Sequence, residues 1–364
     1  FTCKPWRLAV SATAARNSYS FGAGYGTDTG VRGTISWLNP RVNDRGHRLR
    51  VQIQASQTTQ NINARYDIPF GDPVLEKISL QFLDQTQQID SDIYTTELAP
   101  NPGFTVSGGR IDTRENSITP GITVSTGRWQ RVLATKFTHD VTTNAIDDRK
   151  VDDLAVPRIV IAAIPEGYLG EDLFSRTLYA QLDGSLSALG ANANFLRLDL
   201  RSEHVFPLGT RWHLLLRGEA GASAVKDFED LPAAYRFFAG GDRSVRGFGF
   251  DELSPLRTEH QTGTDSSGVP FDRFVSQRVG GRHLLTGTVE FERDLPHNLG
   301  VAAFADGGNA FDRLGDPLAL SVGVGFRWRL SVISMGIDVA KAVRAPGFDA
   351  LPGARLHLNI SPKL

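Results

Sequence analysis

The chain has 364 residues, 40% hydrophobic, 22% charged and 9% aromatic, with a formal net charge of -1. Its one cysteine, Cys3, excludes an intramolecular disulfide and any cysteine-built zinc or iron–sulfur site, and the charge balance lacks the basic excess of a nucleic-acid binder. No apolar run reaches the ~18 residues of a transmembrane helix, but a spanning barrel signals itself only through ~10-residue alternating segments and stays open.

The chain starts at Phe1 without a charged-then-apolar leader and reads as already trimmed. Alternation begins at 17–26 and 30–39, joined by Thr27, Asp28, Thr29 and Gly30. In that turn Asp can bond its own backbone and Gly admits positive φ. At 47–57, Leu49, Val51, Ile53 and Ala55 interleave with Arg50, Gln52, Gln54 and Ser56. Further segments follow at 60–69, 76–89, 103–114, 117–126, 128–139, 155–164 and 173–187. Leu196, Leu198 and Leu200 mark 193–206, and Trp212, Leu214 and Leu216 mark 211–224, with Leu215 out of phase. After a long gap come 282–294, 298–309, 317–328, 331–342 and a short 354–361. A period of two with one apolar face marks strands, and no sustained period near 3.6 occurs, so the chain is all-β.

Alternation also fits a soluble β-sandwich. Arg, Asp and Glu at mid-strand, the lack of an all-apolar strand class and the lack of covering helices favour lipid outside and a wet lumen inside. The expectation is a sixteen-stranded antiparallel transmembrane β-barrel, closed so that no edge is left unpaired. Seventeen candidate segments for sixteen strands make one of the two around 103–126 a loop.

The connection near 226–280 is too long for a plain turn. Its first half, 235–254, is aromatic and glycine-rich, which suits a loop folded back inside the barrel; its second half, 257–268, is polar and reads as a mobile surface tip. Within it lie Gly240, Gly241, Asp242, Arg243, Ser244, Val245, Arg246, Gly247 and Phe248. The glycine pair permits a reversal, and Gly247 beside Arg246 is free to adopt positive φ. Val245 and Phe248 prefer burial, which turns the tip inward.

Enzymatic motifs are poor. The eight histidines show no metal-ligand spacing and read as lumen, turn or girdle residues. The glycines of 22–26 lie within a strand and precede no helix. No catalytic residue, metal or cofactor is expected.

The segment 240–248 resembles the VRGF/Y loop motif of the outer-membrane assembly and transport barrels, the BamA/TamA-like superfamily that also holds two-partner secretion transporters. Gly287 to Glu290 is similar to the family's GxxE strand, and Phe304 to Gly308 to its FxDxG strand. Alternation turns Glu290 and Asp306 into the lumen, where the resemblance implies that they, with Gly308, receive Arg246. The fuller RFFAGGDRSVRGF form, the opening 17–30 and the closing 356–364 are most similar to the TamA-type barrel subunit. Residues 1–16 then read as the tail of a periplasmic domain and 17–364 as the barrel. Asn359 and Ser361 stand where the pattern expects glycines.

The resemblance implies a non-enzymatic role in the Gram-negative outer membrane. The chain would assist insertion of β-barrel proteins or autotransporters, beside a TamB-like inner-membrane partner. The expected exit is a seam between the first strand (Tyr19, Phe21, Tyr25) and the last (Leu356, Leu358, Ile360), stopped by Pro362. A secretion pore of the two-partner type, or a passive channel, is the alternative.

Overall fold

A computed structural model describes residues 17–27, 29–72, 74–99, 101–146, 149–163, 178–264, 267–330 and 333–362. Its strands are β1 (Ser18–Gly26), β2 (Gly30–Asn39), β3 (Arg48–Ala55), β4 (Thr59–Pro69), β5 (Glu76–Asp90), β6 (Ile93–Ala99) and β7 (Gly103–Ser107). There follow β8 (Arg110–Thr126), β9 (Trp129–Thr143), β10 (Lys150–Ala163), β11 (Leu178–Ser185), β12 (Phe195–Pro207) and β13 (Trp212–Val225). The last seven are β14 (Leu256–Thr264), β15 (Pro270–Arg278), β16 (His283–Leu295), β17 (Leu299–Phe311), β18 (Ala319–Arg329), β19 (Ile333–Arg344) and β20 (Arg355–Pro362). Sixteen of them close into an antiparallel barrel, from β1 through β5, β8 to β13 and β16 to β20. The expectation for residues 1–16 and the turn residue Asp28 lie outside the described residues.

Alternation works here with inverted polarity. Phe21, Ile118, Leu133, Phe137, Val289, Phe291 and Val324 are exposed on the outer face, whereas Asp140, Asp183, Asp199, Glu290 and Asp306 are buried inside. Lipid supplies the apolar environment, so the outer face needs no covering layer, and the lumen holds the charges. Leu215, out of phase in the sequence, lies opposite Glu290 in the ladder, an apolar residue on the inner face.

Three expectations need correction. Residues 103–126 hold no loop-for-strand substitution in the barrel: 110–126 is the 17-residue β8, and 103–107 is β7 of a separate sheet. That sheet, in the order β14-β15-β6-β7, also claims most of the supposed mobile tip, because 256–264 pairs with 270–278 as β14 and β15; residues 265 and 266 of the tip lie outside the described residues. Thus only the flanks of 226–280 fold inward. Antiparallel alternation brings the connection after β5 and the one after β13 out at the same end of the barrel, where their strands pair. Gln277 ties them: its Nε2 donates to the Ser91 carbonyl at 3.1 Å and its Oε1 accepts from the Ala145 amide at 2.8 Å. Polar sequence reads as a loop, but the two short strand pairs β14–β15 and β6–β7 become stable once β15 and β6 join them into one four-stranded sheet.

Candidate functional site

The inward loop reverses at Gly240 and Gly241, whose φ angles are +110° and +93°. Gly247 serves a different purpose from the one expected. Its φ is not positive; a Cβ there would come within 2.6 Å of Ser321 Cβ and 2.7 Å of the Ala342 amide nitrogen. The absence of a side chain lets the loop lie against β18 and β19. Phe237, Val245, Phe248 and Leu253 pack there on Ala310, Ala319 and Ala342, small residues that leave room for the loop.

This seat delivers Arg246, 3% exposed, to the barrel wall. Its Nε and Nη2 grip Asp306 in a fork, at 2.9 and 2.8 Å, and its Nη1 donates to Glu290 Oε2 at 2.8 Å. Its backbone amide also donates to Asp306 at 3.1 Å. Thr288 and Ser321 hydroxyls donate to the same carboxylate at 2.9 and 3.3 Å, so Asp306 is satisfied from every side. The guanidinium lies 3.2 Å over the Phe304 ring. Burial disfavours the Arg246 charge, but the hydrogen bonds and charge of Asp306, with Glu290, outweigh it and raise its pKa above the ordinary arginine value.

Two further charges complete the cluster. Arg327 donates to Glu290 Oε1 at 2.8 Å and pairs with Asp338, which stands 3.5 Å from Arg246. Three carboxylates therefore surround two guanidinium groups. Gly308 makes no bond to Arg246; at φ +153° it lets β17 approach β16, where a Cβ would meet the Leu285 carbonyl oxygen at 2.3 Å. Arg243, the other arginine of the 240–248 motif, lies in the same inward segment with its pKa lowered, first by burial and then by Arg217.

At the seam, β1 and β20 pair at four positions only, Ala23 with Ile360, Gly24 with Asn359, Tyr25 with Leu358 and Gly26 with His357. By contrast β9 and β10 pair along all 14 residues of β10. Among the described residues, Gly22 and Phe21 continue the pairing with β2 but not with β20, whose Ser361 and Pro362 pair with β19. In the register of the seam Leu358 faces Tyr25, while Tyr19 and Phe21 lie beyond Ala23, the last position paired with β20 among the described residues. Leu356 continues the contact through its carbonyl, which accepts from the Thr27 amide at 3.0 Å.

The Omp85 superfamily domain matches residues 175–362, just over half the chain. The chain belongs to the Omp85 superfamily. Among solved structures, BamA from Haemophilus ducreyi lacking POTRA domains 1-3 aligns with a TM-score of 0.68 at 16% identity, over 95% of this chain and 70% of that one. CdiB from Acinetobacter baumannii aligns with a TM-score of 0.58 at 13% identity, over 95% of this chain and 60% of that one. CdiB from Escherichia coli aligns at 0.58 and 14%, over 94% and 62%. At these identities the likeness is one of fold. Membership of the Omp85 superfamily indicates an outer-membrane barrel of the assembly and transport kind rather than an enzyme.

Within this Omp85 barrel, four participants are not singled out by the sequence: Asp338 and Arg327 beside Arg246, His357 against the Arg246 carbonyl oxygen, and Arg32, which bonds Asp242. Alternation turns each of them inward, a signal shared with other lumen charges such as Asp140, Asp183 and Asp199. Nothing local says which of those charges meets the loop, because loop and strands are distant in sequence.

Proposed function

We propose that this Omp85 barrel assists insertion of β-barrel proteins or autotransporters into a Gram-negative outer membrane, through the β1–β20 seam. The observation that carries the reading is the short β1–β20 contact, four paired positions among the described residues, with Gly22 and Phe21 paired to β2 and not to β20. Backbone donors and acceptors facing hydrocarbon are costly to leave unmade, and an incoming strand satisfies them by augmenting the sheet. Tyr19 and Phe21, exposed on the outer face, give such a strand an apolar neighbour. The TamA-type sequence features favour autotransporter-like clients and a TamB-like partner in the inner membrane.

The test is a disulfide across the seam in a Cys3→Ser background. Tyr25→Cys with Leu358→Cys uses a directly opposed pair, whose Cα separation in an antiparallel ladder, about 4.5–5.5 Å, suits a disulfide. The cross-linked barrel should remain folded and lose insertion of a model barrel into liposomes, and reduction should restore it. Full insertion by the verified cross-linked form would sink the proposal. Ion conductance in the same liposomes separates it from a secretion pore or passive channel, which would work through the lumen with the seam locked.

A further inference from the structure

The last strand turns three side chains into the lumen at successive alternate positions, Arg355, His357 and Asn359, and the inward loop reaches each. Arg355 donates to Glu252 at 3.1 Å, and His357 Nε2 lies 3.0 Å from the Arg246 carbonyl oxygen. The third contact is indirect. The Nη2 of Arg32, on β2, bonds both the Asn359 Oδ1 and, at 2.6 Å, the Asp242 carboxylate of the loop motif.

For Arg32 to touch β20 it must pass over β1. The register makes this possible: Gly24 stands opposite Arg32 on one side and opposite Asn359 on the other. A Cβ on Gly24 would come within 2.4 Å of the Arg32 Nε. One row of the sheet thus reads Arg32, Gly24, Asn359, with the missing side chain at its centre and a guanidinium lying across the seam. Burial opposes ionisation of Asp242, but the charge and hydrogen bond of Arg32 prevail and hold its carboxyl below the usual carboxylate range.

We propose that Arg32 is a positioning residue that latches the seam, tying β20 to the loop motif so that the seat of the loop sets how readily β1 and β20 part. With four ladder positions in the seam among the described residues, a clasp over its middle bears directly on the opening equilibrium. A client strand that takes the place of β20 along β1 must first strip Asn359 from Arg32. The role in client entry rests on the function proposed above; the latch itself is a statement about the closed seam.

Hydrogen–deuterium exchange of the full chain in lipid nanodiscs tests it, since amide exchange reports local opening. Peptides spanning 23–26 and 356–360 should exchange about three to ten times faster in Arg32→Ala, the population change of ~0.6–1.4 kcal/mol, with peptides of β8 and β9 unchanged. Asn359→Ala should do the same from the β20 side, and serves if Arg32→Ala does not fold. Asp242→Asn, which weakens the carboxylate that Arg32 bonds while leaving Arg32 and Asn359 in place, should also speed the seam peptides. Unchanged seam exchange in the folded variants, or a uniform rise across the barrel, overturns the latch. Either result is independent of liposome insertion by the wild-type barrel, which tests the proposed function alone.

Discussion

Removing the Arg246 side chain would leave Glu290, Asp306 and Asp338 facing one another with Arg327 as the nearest balancing charge. Breaking one partner out of a buried ion pair costs about 3–5 kcal/mol, far more than the ≈ 0–1 kcal/mol of a surface bridge. Arg246→Ala is therefore expected to unseat the loop, read as faster proteolysis within 235–254 in a barrel that still migrates as folded. Arg246→Lys should fall between the two, because an ammonium cannot make the fork on Asp306 while also reaching Glu290. Equal cleavage rates in wild type and Arg246→Ala would show that the loop is anchored chiefly by Phe248 and its apolar neighbours.

The hairpin β14–β15 and the strands β6–β7 depend on one another. Either pair alone is a two-stranded ribbon, marginal in water, whereas together they make a four-stranded sheet. Replacing 257–277 with a short glycine–serine linker is expected to expose 93–107 to protease and to leave the sixteen-stranded barrel intact, as judged by heat-modifiable migration in gels. Arg257 also bonds Asp312 at 2.6 Å, so the connection between β17 and β18 should loosen with it. Retained protection of 93–107 would mean that β6 and β7 are held by the barrel rim instead.

The barrel as an object is uneven around its circumference. Strands β5, β8 and β9 have 15 to 17 residues, whereas β1 and β20 have nine and eight. Among the described residues β9 and β10 pair along all 14 residues of β10 and β1 and β20 at four positions, so the opening proposed above belongs at the seam. The loop also occupies the lumen, which should keep ion conductance low in planar bilayers. Releasing it with Arg246→Ala is expected to raise conductance severalfold, since each ~1.4 kcal/mol lost from the seat shifts the released population tenfold. Equal conductance in the two forms would show that the lumen is closed by other parts of the wall.

Much of this molecule was legible before folding. Alternation at Leu196, Leu198 and Leu200, or at Val322, Val324 and Phe326, sets strand identity and facing, because a period of two needs no knowledge of neighbours. The same logic turned Glu290 and Asp306 inward, and the loop pattern around Arg246 marked the segment that meets them. What chain order could not supply is register and partnership between distant segments. That Leu358 faces Tyr25, that β14 and β15 pair with β6, and that Arg32 crosses Gly24 to Asn359 follow from which strands close the barrel and how far each slides along its neighbour. A one-step slip reverses every face, and a two-step slip preserves the faces while changing every partner. Alternation is blind to the second kind of slip, so the seam and its clasp emerge only when the ladder hydrogen bonds are all made at once.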